Sequence, residues 1–320
     1  FQTTPEQLQC RTVCGQGAVR CVRFNADGNY CLTGGADKSL KLWNPAKSLL
    51  LRSYLGHGQE VLAVACACDN ANLASGGEDK MVAYWDTASG TAVRKYRSHL
   101  ARVGALAFSP DATLLASGSV DCTVRLWDLR SKAQAPVQLL TDARDSVTAV
   151  AVHSWRIYTA SLDGRLRCYD ARKGRLAEDN LSKPLIGLCA TRDGRCILAS
   201  CSDARLRLID RDTGDLLASY SGHSVADLSV ECDVSAGDSL VLSGSAGGSG
   251  ELICWDLLSG ELRCRLRHPA AEPARAGVRT QASVVQSVSA HPKLCRVLTA
   301  MGDAVFLWAD PAHAVADETQ

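Results

Sequence analysis

Two histidines each precede an aspartate by the same interval, and both residue types can transfer protons in catalysis. His57 precedes Asp79, and His99 precedes Asp121. A histidine oriented by a carboxylate is a common general base. The two pairs, however, stand at equivalent positions of a longer repeat, and no nucleophile accompanies either of them. We therefore interpret both pairs as structural and predict that the protein is not an enzyme.

One recurring anchor residue gives the length of the repeat. The anchors are Trp43, Trp85, Trp127, Tyr169, Ile209, Trp255 and Trp308, and their successive numbers differ by 42, 42, 42, 40, 46 and 53. An aspartate stands six residues before each of the first five anchors, at Asp37, Asp79, Asp121, Asp163 and Asp203. Alternating apolar runs bounded by turn residues, such as residues 103–108, predict the strands in between. Four strands per unit and a period of about 40–45 residues are typical of WD-repeat propellers, so we predict an all-β, seven-bladed WD-repeat β-propeller.

The resemblance to WD repeats implies a role for the histidines and aspartates. In such repeats a histidine, a hydroxyl residue, an aspartate and a tryptophan form a hydrogen-bonded line, and these bonds offset the cost of burying polar groups. The predicted structural tetrads are His57, Ser75, Asp79 and Trp85 in blade two and His99, Ser117, Asp121 and Trp127 in blade three. Blade four lacks the histidine. Blade six keeps His223, Ser243 and Trp255 but lacks the aspartate.

We predict that residues 1–320 form one domain. The predicted blades span about 15–55, 56–97, 98–140, 141–181, 182–221, 222–267 and 283–310. Blade seven has no outer strand of its own, because the chain is polar after Trp308, and a surplus strand is predicted at about 9–14. Completing the last blade with this N-terminal strand would close the ring and pair two free strand edges.

Two segments interrupt the repeat. Residues 268–282 (HPAAEPARAGVRTQA) are rich in proline, alanine and arginine, and we predict a mobile surface loop there. Residues 245–250 (SAGGSG) are rich in glycine, but neither a Lys-Ser/Thr pair nor a predicted helix follows. They therefore do not match a phosphate-binding loop, and we predict a flexible turn.

The composition argues against a general attraction to polyanions, although it leaves a local basic patch open. With 35 Lys and Arg against 34 Asp and Glu, the net charge is +1, which gives no general field to attract nucleic acid or an anionic membrane. There is no apolar run of membrane-spanning length and no signal-peptide pattern, so we expect a soluble, intracellular protein. The 15 cysteines are scattered through strands and are predicted to be small core residues in a reducing compartment. No Cys/His spacing suits zinc, and we predict neither a metal nor a cofactor.

The top face of the predicted propeller is the candidate partner-binding surface. Its side chains come from the turn entering each innermost strand and from the residue before the turn aspartate. They are Arg20, Glu60, Leu62, Glu78, Arg102, Val120, Thr148, Leu162, Ile186, Ser202, Gln286 and Met301. This mixture of charged and apolar residues suits a protein or peptide partner, and a solvated rim is the alternative at each position. We hypothesise that Arg20, Glu60 and Arg102 anchor a peptide by charge-assisted hydrogen bonds.

Several segments resemble one particular family, the mitogen-activated protein kinase organiser family. They are residues 14–20 (CGQGAVR), 22–25, 27–33, 41–45, 143–145, 162–165, 212–214 and 298–302 (LTAMG). The resemblance extends from about Cys10 to Trp308. It departs from the family at residues 268–282, at the glycine-rich turn of blade six and at the two ends.

This resemblance implies a non-catalytic scaffold in the cytoplasm and the nucleus. Members of the family organise components of the extracellular-signal-regulated kinase cascade and occur in spliceosomal complexes active in the catalytic steps of pre-mRNA splicing. The implied partners are therefore proteins and not a small-molecule substrate. Any RNA contact should be indirect or minor, because no basic run with interleaved aromatic residues is present.

Two other functions are compatible with parts of the sequence. Residues 127–130 (WDLR) and 169–172 (YDAR) resemble the WD-x-Arg boxes of substrate receptors of cullin-type ubiquitin ligases. Arg130 and Arg172 would then contact the ligase adaptor, although an arginine at this position can equally be surface charge. Propellers also include hydrolases and metal-dependent lyases, but none of the seven histidines forms a metal-ligand spacing with a carboxylate.

Overall fold

The protein is a ring of seven four-stranded antiparallel sheets. The computed structural model describes residues 4–225, 230–246, 250–269 and 284–311. Blade one contains β2 (Val19–Phe24), β3 (Cys31–Gly35), β4 (Ser39–Asn44) and β5 (Leu49–Leu55). Blade two contains β6 (Val61–Cys66), β7 (Asn72–Gly77), β8 (Val82–Asp86) and β9 (Ala92–Tyr96). Blade three contains β10 (Val103–Phe108), β11 (Leu114–Ser119), β12 (Val124–Asp128) and β13 (Gln138–Leu140).

The other blades repeat this order. Blade four contains β14 (Val147–His153), β15 (Arg156–Ser161), β16 (Arg165–Asp170) and β17 (Arg175–Asn180). Blade five contains β18 (Leu185–Ala190), β19 (Cys196–Cys201), β20 (Arg205–Asp210) and β21 (Leu216–Ser221). Blade six contains β22 (Cys232–Val234), β23 (Leu240–Gly244), β24 (Glu251–Asp256) and β25 (Leu262–Arg267). Blade seven contains β26 (Val285–Ala290), β27 (Arg296–Met301), β28 (Ala304–Ala309) and, as its outer strand, β1 (Gln7–Val13).

The ring is closed by the N-terminal strand, as predicted. β1 pairs antiparallel with β28, with Gln7 opposite Ala309 and Val13 opposite Ala304. Blade one is also joined to blade seven through backbone donors, since the N–H of Val22 donates to Ser287 Oγ at 3.0 Å. The all-β, seven-bladed prediction is therefore confirmed together with its closing strand.

The hydrophobic core lies between neighbouring blades. The second strand of a blade is almost fully buried, as in β7, whereas the outer strand β5 exposes every residue except Tyr54. Small residues near the end of the second strand let the next blade approach closely. A Cβ added to Gly76 would lie 2.8 Å from Val103 Cγ1, and one added to Gly118 would lie 2.8 Å from Val147 Cγ1. Because real Cβ atoms do not approach this closely, glycine sets the distance between these blades.

The cysteines are unpaired, and most of them are at least partly buried. All fifteen lie in the described residues without a disulfide. Burial raises the pKa of the Cys14 thiol to about 12, so this side chain is a neutral apolar core group. Cys68, in contrast, is exposed. The prediction that the cysteines are core residues was therefore wrong for Cys68.

The two interrupting segments lie partly outside the described residues. The predicted mobile loop at 268–282 falls outside them except for His268 and Pro269, and the predicted flexible turn at 245–250 is described only in part. Among the described residues, no helix has the length and apolar character needed to span a membrane.

Candidate partner-binding site on the top face

The hydrogen-bonded lines in blades two and three fix the turns that shape the top face, the face of the turns that enter the innermost strands. In blade two, Trp85 Nε1 donates to Ser75 Oγ at 2.8 Å, and Ser75 Oγ lies 2.7 Å from His57 Nε2. The other ring nitrogen, His57 Nδ1, lies 3.0 Å from Asp79 Oδ1. Since Ser75 accepts from the tryptophan, its own proton is directed to Nε2, so Nδ1 carries the hydrogen that Asp79 accepts.

Blade three forms the same line. Trp127 Nε1 donates to Ser117 Oγ at 2.9 Å, and Ser117 Oγ lies 2.8 Å from His99 Nε2. His99 Nδ1 lies 2.9 Å from Asp121 Oδ2, which also accepts the backbone N–H of Leu100 at 2.9 Å. The aspartate therefore ties the turn between the second and third strands to the loop that enters the blade.

Burial makes these histidines poor catalytic groups. It lowers the pKa of His57 and of His99 below the ordinary value of 6.5, so both rings are neutral at physiological pH. Each side chain is only 1% exposed, which leaves no path for a substrate. Burial opposes ionisation of Asp121, but hydrogen bonds from Thr123, Leu100 and His99 hold the pKa of that carboxyl below its ordinary value.

Blade one contains a line that the sequence pattern did not reveal, because glutamine replaces histidine. Trp43 Nε1 donates to Thr33 Oγ1 at 2.9 Å, and Thr33 donates to Gln16 Oε1 at 2.5 Å. The Gln16 amide then donates to Ser39 Oγ at 3.0 Å, and Ser39 donates to Asp37. The spacing of the glutamine could have revealed this line. The interval from Gln16 to Thr33 is one residue shorter than the interval from His57 to Ser75.

In blade seven the structure corrects the predicted surface loop, because His268 is a core residue with 7% exposure. Its Nε2 lies 2.6 Å from Thr299 Oγ1, which also accepts from Trp308 Nε1 at 3.0 Å. Its Nδ1 lies 2.5 Å from the carbonyl oxygen of Gly250. The spacing did not reveal this histidine. The interval from His268 to Thr299 is thirteen residues longer than the interval from histidine to serine in blades two and three.

Blades four and five hold their turn aspartates with arginine instead of histidine. Arg167 reaches Asp163 with contacts of 2.7 and 3.3 Å, and Arg207 reaches Asp203 with contacts of 2.6 and 3.1 Å. In each case the arginine stands four residues after the aspartate. Burial raises the pKa of Asp163, but the bonds from Arg167 and from the backbone N–H groups of Arg144 and Arg165 together outweigh it and lower that pKa to about 2. A two-point ion pair thus replaces the bond from a neutral histidine.

Blade six keeps His223, Ser243 and Trp255, but these residues do not form the hydrogen-bonded line. Trp255 Nε1 donates to the carbonyl of Ser221 at 3.1 Å, and Ser243 Oγ donates to the carbonyl of Gly244. Neither ring nitrogen of His223 has a hydrogen-bond partner among the described residues. The absence of a turn aspartate accounts for this difference, because Nδ1 has lost its usual acceptor.

The predicted top-face residues surround one cavity of about 750 Å³ at the mouth of the central channel, which we call the funnel. All seven blades contribute to it. Eleven of the twelve predicted residues line it, namely Arg20, Glu60, Leu62, Glu78, Arg102, Val120, Thr148, Leu162, Ile186, Ser202 and Gln286. Ser146, Pro184 and Val225 line it as well and were not among the predicted residues.

Met301 is the exception, and its prediction as a top-face residue was wrong. It is 5% exposed and packs in the core between blades six and seven. The turn of blade seven is shorter than the others, because Met301 pairs directly with Ala304 across Gly302, which has a φ of 60°. In the sheet, Met301 pairs with the first residue of the innermost strand, as Gly77 does in blade two. Met301 therefore corresponds to the buried Gly77 and not to Glu78, which lies in the turn.

The charged residues of the funnel all come from one half of the ring. Blades one to three contribute Arg20, Glu60, Glu78 and Arg102, whereas blades four to six contribute Leu162, Pro184, Ile186 and Val225. Arg20 and Glu60 form an ion pair with an Nε–Oε2 distance of 2.8 Å. Arg102 and Glu78 are exposed and have no ion pair among the described residues. Of the three anchors that we hypothesised, Arg102 is the one whose charge is not already paired.

Below the funnel the channel narrows and is crossed by an ion pair. A cavity of about 60 Å³ shares Gly104, Thr148 and Ile186 with the funnel and continues along the innermost strands. There Arg23 contacts Glu231 through two bonds of 2.7 Å each. No group of three or more metal-ligating side chains occurs among the described residues.

The two arginines of the WD-x-Arg-like boxes lie in corresponding loops on the opposite, bottom face, but they are held differently. Arg130 is 72% exposed and its Nε lies 3.2 Å from Asp128 Oδ1. Arg172 places its guanidinium 4.7 Å from the ring centroid of Trp155. Both side chains remain exposed, but Arg130 contacts a carboxylate of its own loop, whereas Arg172 contacts an aromatic ring of a neighbouring loop.

Comparisons with known proteins agree with the propeller. A family model described as "WD domain, G-beta repeat" matches residues 8–44, 48–86 and 90–128. The chain is 54% identical to WD repeat domain-containing protein 83 of Homo sapiens over 304 residues, which cover 95% of this chain and 92% of the relative. The Rattus norvegicus protein of that name is also 54% identical, over 94% of this chain and 91% of the relative. A homolog from Dictyostelium discoideum is 31% identical over 93% of this chain and 96% of its own length.

Proposed function

Because the chain belongs to the WD-repeat propeller family, among the proteins called WD repeat domain-containing protein 83, we propose that it is a non-catalytic scaffold that assembles protein complexes. The observation that carries this proposal is the funnel, in which eleven predicted top-face residues line one opening. The two histidine–aspartate pairs singled out by the sequence are buried and engaged in the blade lines, which supports binding by this protein over catalysis by these pairs.

The two halves of the funnel define the kind of segment that fits. An apolar side chain of the partner would pack against Leu162 and Ile186, where it displaces water from apolar surface. A carboxylate beside it would pair with Arg102, and a lysine or arginine would pair with Glu78. The Arg20–Glu60 pair is satisfied internally, so in this proposal it shapes the wall and anchors nothing. This revises our hypothesis for those two residues.

Charge reversal on the top face tests the proposal. The double substitution Arg102→Glu and Ile186→Glu should reduce partner recovery in quantitative pull-downs by at least about tenfold, since each site is expected to contribute more than about 1 kcal/mol. Arg195→Glu is the matched control, because Arg195 is 83% exposed on the bottom face. Circular dichroism must show that both proteins are folded. Full recovery of every partner by the folded double variant would exclude the funnel as the binding site.

We further propose, from the resemblance, that the partners belong to the extracellular-signal-regulated kinase cascade or to the catalytic-stage spliceosome, in the cytoplasm and the nucleus. Affinity purification from the native cell with mass spectrometry separates the two roles. Partners that depend on the funnel should be depleted with the Arg102→Glu, Ile186→Glu protein and retained with Arg195→Glu. Recovery of neither class with the unmodified chain would contradict this proposal but would leave the scaffold proposal intact.

The exposure of Arg130 supports one second candidate, a substrate receptor of a cullin-type ubiquitin ligase. A side chain 72% exposed is accessible to an adaptor. In this case the ligase adaptor should co-purify with the protein and should be lost on Arg130→Ala. Absence of the adaptor from preparations of the unmodified protein would reject this candidate.

A further inference from the structure

Trp155 differs from every other tryptophan in the chain. All six tryptophans lie in the described residues, and five of them are between 1% and 6% exposed. Trp155, in the turn between β14 and β15, is 46% exposed. This turn lies on the bottom face, the end of the ring opposite the funnel. A large exposed indole is not needed for the repeat, and tryptophan is among the residues most enriched in binding hot spots.

The loop beside Trp155 holds an arginine against its ring. The guanidinium of Arg172 lies 4.7 Å from the ring centroid, a distance suited to cation–π attraction. The two loops are joined by the N–H of Ala171, which donates to the carbonyl of Trp155 at 2.9 Å. Asp170 Oδ1 accepts the backbone N–H groups of Arg172 and Lys173, each at 3.0 Å. Both side chains are therefore positioned before any partner arrives.

The surroundings carry more positive than negative charge, with Asp170 as the carboxylate of the same loop. Arg172, Lys173 and Arg175 are exposed, and none of them forms an ion pair among the described residues. The neighbouring carboxylates are engaged elsewhere. Asp170 accepts the loop N–H groups, and Asp212 of blade five accepts from Arg156 at 2.8 Å. An incoming acidic group would thus meet three cations without displacing an existing ion pair.

We propose that the bottom-face patch formed by Trp155, Arg172, Lys173 and Arg175 binds an acidic peptide segment that carries one apolar side chain. The apolar side chain packs on the exposed part of Trp155, and flanking carboxylates pair with the three cations. Leu176, the next residue on the outer strand β17, is 43% exposed and adds apolar surface.

A peptide fits this patch better than single-stranded RNA. Binding of successive bases uses several aromatic platforms along a basic groove, whereas the patch offers one ring, which Arg172 already covers in part. A peptide needs one apolar contact and nearby carboxylates, which is what the patch can satisfy. Because funnel and patch lie on opposite faces, one molecule could hold two partners at once, as an assembly platform requires.

Selection from random peptides tests the patch even while its natural partner is unidentified. Displayed dodecapeptides are selected on the full chain and, in parallel, on the Trp155→Ala and Arg172→Ala variants. Peptides enriched only on the unmodified chain should carry acidic residues around an apolar one. A selected peptide should then bind about thirtyfold more weakly to either variant, the loss typical of truncating a hot-spot residue, and it should protect Trp155 from acrylamide quenching.

The controls separate this proposal from the funnel and from folding defects. Arg195→Ala removes an exposed arginine of the same face and should leave binding unchanged, as should the funnel variant Arg102→Glu. Circular dichroism should show that both patch variants are folded, and the melting temperature of Arg172→Ala should match that of the unmodified chain, because Arg172 is exposed. The proposal would be overturned if no peptide were enriched, or if peptides were enriched equally on the Trp155→Ala protein. It would also be overturned if the selected sequences lacked acidic residues, or if only oligouridine protected Trp155 from quenching.

Discussion

The two exceptional histidines, His268 and His223, provide a test of how much the blade lines stabilise the fold. Both are buried, with 7% and 4% exposure, and both contact a tryptophan edge-on, at centroid distances of 5.1 and 5.8 Å. They differ in hydrogen bonding. His268 contacts Thr299 and the carbonyl of Gly250, whereas His223 has no partner among the described residues.

Substituting each histidine by alanine should therefore have unequal effects. Either change removes a buried ring, which we expect to cost roughly 1–2 kcal/mol of packing. His268→Ala also removes two hydrogen bonds, each worth about 1 kcal/mol net. The free energy of unfolding should thus fall by about 2 kcal/mol more for His268→Ala than for His223→Ala.

Urea unfolding followed by tryptophan fluorescence and by circular dichroism measures this difference. With a denaturant slope of about 3 kcal/mol/M, the two variants should differ in midpoint by roughly 0.7 M. Coincident transitions from the two probes would justify the two-state treatment. Equal midpoints, or a larger loss for His223→Ala, would refute the argument that the blade-seven line stabilises the protein through its hydrogen bonds.

The same contacts support three further predictions. Burial lowers the pKa of His268 to about 4, so the folded state disfavours protonation of this ring. The free energy of unfolding should therefore fall as pH falls from about 6.5 towards 4. Urea titrations at these two pH values should show a smaller loss for His268→Gln than for the unmodified chain. Deleting residues 1–15 removes β1 and should lower the thermal midpoint, whereas an unchanged midpoint would argue against closure by this strand. Gly76→Val should lower the free energy of unfolding by about 1–3 kcal/mol through overpacking against Val103, while Gly104→Val, whose Cβ would meet nothing within 4 Å, should cost less in the same assay.

The architecture is readable from the sequence, because each blade is held together by contacts that recur at a fixed spacing. The intervals from histidine to serine and from serine to tryptophan are identical in blades two and three, as His57, Ser75 and Trp85 illustrate. The same regularity predicted which residues surround the funnel. The closing strand was readable as well, since a surplus strand and an incomplete blade occur at opposite ends of the chain.

The positions where the spacing changes became clear only in the packed structure. A longer insertion hid His268, and a shorter turn buried Met301. The contact between Trp155 and Arg172 joins two loops that belong to no repeating motif. Regular spacing reports the ladder hydrogen bonds that every blade must form, whereas contacts between loops depend on side-chain geometry that develops only after the sheets have packed around the ring.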